Sequence, residues 1–182
     1  MLRVPVVRGA AAERAPSLTL ATLRFSASPL AAARLLAAAA SENLKIGNVT
    51  FTTHDLGGHV GARKLWKNYF PDVSGILYMV DAADPARFAE AKKQLDLLLQ
   101  EEELAHVPFA IIGNKIDLRP NQLRMGHPGA VPETELRMHL GLSHTTESEE
   151  PQPGVRGMGL FMSSVNMEIG YEDAFKWIAN YM

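Results

Sequence analysis

Cysteine is absent from the 182-residue chain. That absence excludes a disulfide framework, a thiolate metal site and a thiol nucleophile. No apolar run approaches the roughly 18 residues that a membrane-spanning helix requires. No lysine precedes Lys45 and no aspartate precedes Asp55, so any motif built on either residue is excluded from the start of the chain. An excess of charge of one sign is lacking too, with 18 basic and 20 acidic residues. A net charge of −2 gives no electrostatic case for nucleic acid or an anionic membrane as the main partner.

What is present is ordinary in bulk, 47% apolar and 21% charged, in a length that suits one domain with one sizeable core. The average conceals a split. Residues 1–40 carry five arginines, one acid (Glu13) and thirteen alanines, a net +4 against −6 for residues 41–182. An Arg-rich, acid-poor, Ala- and Ser-rich start has the composition of a mitochondrial transit peptide. The plainer alternative is an alanine-biased extension that carries no address.

Beyond residue 40 the pattern alternates between strand and helix. "NLKIGNVTFTTHD" predicts two strands joined at Gly47-Asn48. "SGILYMVDAAD" and "VPFAIIGNKID" are continuous apolar runs, as expected of strands buried on both faces. Between them Asp84 is placed to cap a helix with Pro85 in its first turn and a stripe of Phe88, Ala91, Leu95 and Leu98 or Leu99. "PETELRMHLGL" predicts a short helix stopped by Gly141, and residues 143–159 a polar surface loop. "LFMSSV" reads as a last strand. "YEDAFKWIANYM" reads as a closing helix with Phe175, Ile178 and Tyr181 or Met182 inward. Such an order implies a mostly parallel sheet covered by helices on both faces.

In such folds ligands bind beyond the carboxyl ends of the strands, and three polar loops fall there. Asn114-Lys115-Ile116-Asp117 suits guanine. Asp117 can accept from the ring N–H and the exocyclic amine, Asn114 can bond the other edge, and the Lys115 stem can lie on the base. Backbone amides near Ser164 and Val165 can receive the guanine carbonyl. In Asp55-Leu56-Gly57-Gly58-His59 the aspartate can hold a water on a magnesium ion. The Gly58 N–H can approach a phosphate, and His59 can position an attacking water. Taken singly, NKxD is a common loop, DxGG a common turn, and His59 a solvated histidine. Together, in this order and each after a strand, they point to a guanine nucleotide.

At this point "NVTFTTHDLGGHVGARKLWKNYFPDVSGILYMVDAAD", "LAHVPFAIIGNKID" and "GYEDAFKWIANYM" resemble the Sar subfamily of small GTPases, over roughly residues 41–182. The resemblance implies the small-GTPase fold, GTP/GDP and Mg2+ as cofactors, and a switch for COPII coat assembly between endoplasmic reticulum and Golgi. It further implies an inner COPII coat, an exchange factor and a peripheral membrane association as partners. Carried over, Asp55 serves magnesium, Gly58 the γ-phosphate and His59 the catalytic water. Asn114, Lys115, Asp117, Ser164 and Val165 serve the base. His54 and Val60-Gly61 depart from the family's residues in small ways.

One departure is large. The family needs a phosphate loop, GxxxxGKS/T, upstream of DLGG. With no lysine before Lys45 the motif is missing, and "LLAAAASENL" occupies the place of the first switch and its threonine. The segment 1–40 is therefore atypical. In one expectation "LTLATLRF" and the helix "LAAARLLAAAA" replace the family's first strand and helix, joined by "SAS". In the other the segment is disordered, and apolar neighbours such as Ile76 and Ile111 are exposed. A misdefined gene start also produces such an abrupt change. The missing lysine argues against efficient GTP hydrolysis. A nucleotide-independent interaction module acting through residues 59–70, and a truncated non-functional product, stand as alternatives to the GTPase.

Overall fold

The computed structural model describes residues 18–25, 41–46, 49–120, 129–142 and 154–181, with only backbone pairing described before Phe51. Six strands form one sheet: β1 (Leu18–Phe25), β2 (Ser41–Ile46), β3 (Val49–Gly57), β4 (Gly75–Asp81), β5 (Phe109–Asn114) and β6 (Met158–Met162). Their spatial order is β2-β3-β1-β4-β5-β6. Ile46 pairs with Val49, so the turn falls at residues 47 and 48 as the Gly-Asn pair predicts.

Four strands, β3 to β6, run one way. β4, β5 and β6 pair in parallel, and β3 shares their direction because both it and β4 are antiparallel to β1. Four of the six strands thus share a direction with β1 and β2 reversed, and two of the five pairings are parallel and three antiparallel.

Side chains alternate across the sheet, which sorts the core into two layers. Ile76, Tyr78 and Val80 of β4 and Phe109 and Ile111 of β5 face helix α2 (Phe88–Leu99) and helix α3 (Glu133–Leu140). The predicted stripe of α2 is seen, with Phe88, Ala91, Leu95 and Leu98 buried there. Burying one leucine such as Leu95 contributes about 2 kcal/mol. Inside this layer the Tyr78 hydroxyl donates to the Ala91 carbonyl at 2.7 Å. Burial pushes the phenol's pKa upward, which keeps it a neutral donor. On the other face Phe51, Leu77, Ala110 and Ile112 meet Ala174, Trp177 and Ile178 of helix α4 (Tyr171–Ala179).

Several expectations shift in detail. Asp84 does occupy the position before a helical turn, a 3-10 turn at Pro85–Arg87 ahead of α2, but its side chain makes no capping bond. Strand β6 begins at Met158, inside the segment read as loop. The inner face of α4 is Tyr171, Ala174, Trp177 and Ile178, with Phe175 only partly buried. Ile76 and Ile111 are fully buried.

The segment "LTLATLRF" is a strand, in the central place expected of a replacement, and it runs opposite to both of its neighbours. Thr19 pairs with Gly57 at the end of β3, and Leu18 with Val80 near the end of β4, whereas Leu23 pairs with Gly75 at the start of β4. The chain therefore leaves β1 at Phe25, roughly 20 Å from the polar rim at about 3.4 Å per residue. The "SAS" link lies outside the described residues. The "LAAARLLAAAA" helix lies outside the described residues.

Candidate functional site

The rim is built from the carboxyl ends of β3, β4, β5 and β6, and its two halves are differently made. At the end of β5, Asn114 Oδ1 accepts from the Ser163 hydroxyl at 3.3 Å and from the Val165 N–H at 3.1 Å. The Ser164 hydroxyl donates to Asp117 Oδ1 at 2.5 Å and accepts from the Met167 N–H at 3.0 Å. The Ile116 N–H donates to the Ser163 carbonyl at 3.2 Å. Ser163 and Ser164 are both fully buried, so their hydroxyls need these partners. Asn114, Lys115, Asp117, Ser164 and Val165 are thus brought into one cluster.

Two amides expected to meet a base carbonyl are already used. The Ser164 N–H donates to the Ile169 carbonyl, and the Val165 N–H to Asn114. Reception of a ligand there means that Val165 exchanges one acceptor for another.

Gly170 shapes this loop. Its φ is 81°, and a Cβ there would collide with the Met162 carbonyl oxygen. Gly170→Ala should therefore cost about 2–4 kcal/mol, combining left-handed strain with a steric clash. A chemical-denaturation midpoint compared with wild type checks this; an unchanged midpoint would show that the loop relaxes freely.

Sequence reasoning missed Asp81. It ends β4 opposite Asn114. Its Oδ2 accepts from Lys115 Nζ at 2.5 Å and its Oδ1 from the Ala83 N–H at 3.0 Å. Lys115 itself has φ 73°, a left-handed conformation uncommon outside glycine. The signal was an acid at a strand end beside the strand carrying NKID, obscured by the apolar run before it.

At the end of β3 the His59 side chain caps helix α1 (Val60–Arg63), Nδ1 accepting from the Ala62 N–H at 3.3 Å. That bond leaves the ring proton of the neutral form on Nε2. The Gly57 carbonyl takes the Trp66 indole N–H at 3.2 Å, and the Gly58 carbonyl takes Arg63 Nε at 2.6 Å. Arg63 continues to Glu90 on α2 at 2.5 Å, where Arg87 also binds at 3.0 Å. The Arg63 hydrogen bond, ahead of that from Arg87, holds the Glu90 carboxyl below its ordinary range. These contacts tie the DLGGH loop to α2. Nothing in the sequence flagged a link between residues so far apart. Asp55 reaches solvent on β3, yet the protein packed around its carboxyl strips it of some hydration and raises its pKa above the ordinary range.

The family model for the ADP-ribosylation factor family matches residues 31–182. The chain belongs to that family. Within it the similarity runs to the Sar type. The chain is 34% identical to the small COPII coat GTPase SAR1 of Giardia intestinalis over 145 residues, covering 78% of this chain and 71% of that protein. It is 35% identical to the small COPII coat GTPase SAR1 of Nicotiana tabacum over 149 residues, covering 78% and 72%. An ADP-ribosylation factor-like protein 8b of Arabidopsis thaliana is 32% identical over 135 residues, covering 74% and 64%. The chain is a Sar-type member of the ADP-ribosylation-factor superfamily of small GTPases.

Set against that membership, the phosphate half of the rim does not fit a nucleotide–magnesium group. This Sar-type chain has no GxxxxGKS/T, and its central strand runs the wrong way to present one. Among the described residues no three His, Asp or Glu side chains gather as a metal site. Nor is any described helix long and apolar enough to cross a membrane. The β3 and β5 ends are three strand spacings apart, about 14 Å, with the start of β1 between them.

Proposed function

We propose that this Sar-type chain belongs to the COPII branch of endoplasmic-reticulum-to-Golgi transport, and that it retains guanine recognition without a working GTP/GDP switch. The observation carrying this reading is the reversed central strand. It leaves a hydrogen-bonded NKID–SSV cluster at one end of the rim and, among the described residues, no phosphate cradle at the other.

In this reading Asp117 reads the two donors of guanine, Asn114 and the Ser164-Val165 turn brace the cluster, and the Lys115 stem supports the ring. His59 and Gly58 keep their family positions but have no gripped phosphate to act on, so hydrolysis by this chain is negligible. The interaction surface around residues 59–70 then meets a COPII coat or regulator partner independently of nucleotide. Membership of the COPII branch is supported by the names of the two SAR1 relatives.

Titration of the full chain with guanosine, GMP and GDP, with and without magnesium, tests the reading. Affinity should be weak, similar for all three ligands, insensitive to magnesium, and lost in Asp117→Asn. Removal of the Asp117 carboxylate should cost at least about tenfold, as a charge-assisted two-point contact implies. Tight, magnesium-dependent GDP binding would overturn it.

A further inference from the structure

We propose that Asp81 is a positioning residue for base recognition, acting through Lys115; this rests on the guanine-recognition reading above. Lys115 carries a long stem with several freely rotating bonds. A stem of that kind makes a poor platform for a flat ring unless its far end is held, because fixing it on binding costs rotamer entropy.

Here the far end is held before any ligand arrives. The Asp81 side chain is only 11% exposed and that of Lys115 36%, with Nζ on Oδ2 at 2.5 Å. The carboxylate cannot swing away easily, since its other oxygen takes the Ala83 N–H at 3.0 Å. The left-handed backbone at Lys115 sets the stem's departure from β5. Two costs, backbone strain and a partly desolvated carboxylate, thus converge on one side chain at the rim. An ion pair with so exposed a lysine adds little to folding. Its consequence lies in where it leaves the stem.

The pair also separates two carboxylates with different tasks. Asp117 is braced by Ser164 and Asp81 by Ala83, so the two carboxylates have separate partners among the described residues. The second oxygen of Asp81 is the one that holds the lysine.

Guanosine titrations of the full chain test this with Asp81→Asn, Lys115→Met and the double variant, beside Asp117→Asn. Asparagine keeps an acceptor for Ala83, and methionine keeps an unbranched apolar stem without the ammonium. Each single variant should weaken guanosine binding about fivefold, the cost of ordering one long side chain. The double variant should bind no worse than Lys115→Met, and melting temperatures should stay within about 2 °C of wild type. Wild-type affinity in Asp81→Asn, or a further loss on top of Lys115→Met, would overturn the proposal. If Asp117→Asn abolishes binding while Asp81→Asn does not alter it, only this inference falls. If the wild-type chain does not prefer guanosine to adenosine, guanine recognition falls and takes this inference with it.

Discussion

Proline in place of Ala21 should abolish cooperative folding of this chain. Ala21 is the middle of β1, paired with Asp55 on one side and Leu77 on the other. A strand flanked on both sides has no solvent-facing amide to spare, and proline removes one and fixes φ at a value unsuited to the ladder. The direct loss is a ladder hydrogen bond left unmade, about 1–3 kcal/mol before the misfit in φ, against a total stability on the order of 5–15 kcal/mol. The indirect loss is larger. Without β1, strands β3 and β4 present two open edges, and such edges template aggregation. Thermal melts followed by circular dichroism, with light scattering, measure both effects. A wild-type melt in Ala21→Pro would mean that Leu18–Phe25 is not a central strand, and the reversed-strand account of the rim would go with it.

Much of this fold was legible because its period was legible. The apolar runs of β4 and β5 and the stripe of α2 announced two buried faces before any coordinate, and both faces are filled. Gly141 stops α3 with φ 72°, as a glycine after an apolar-periodic stretch predicts. The direction of β1 was not legible. Alternation within "LTLATLRF" fixes which residues share a face, but it reads the same whether the strand runs up or down. Strand direction depends on where the flanking chain can go, and period carries no such information.

The site divides along a similar line. NKID and SSV were found because their members are close in sequence and chemically distinctive. Their mutual bonds, Ser164 to Asp117 and Val165 to Asn114, bridge about fifty residues and follow from the parallel pairing of β5 and β6. Asp81 and the Arg63–Glu90–Arg87 group are ordinary charged residues whose roles exist only after the strand ends and α2 are brought together. Their discovery required the fold.

The largest gain in function should come from restoring the missing half. A chimera that replaces residues 1–40 with the strand, phosphate loop, helix and first switch of a Sar relative carrying GxxxxGKS/T would put a forward-running strand between β3 and β4. Its loop would then emerge at the rim, between Gly58 and Asn114, where β1 now begins. Each charge-assisted bond to phosphate is worth about 1.5–3 kcal/mol, so even three of them, less the ordering of the loop, imply roughly a 1,000-fold gain in GDP affinity. The gain should require magnesium and vanish when the grafted lysine is changed to methionine. Within the chimera, His59→Ala should slow GTP hydrolysis while leaving GDP affinity intact, because the ring of His59 lies at the start of α1 and not among the residues that brace the base. A chimera that folds but binds GDP no better than the parent would place the defect in residues 41–182. The NKID cluster would then be a fold-bracing remnant, held together by its own hydrogen bonds and closed to guanine.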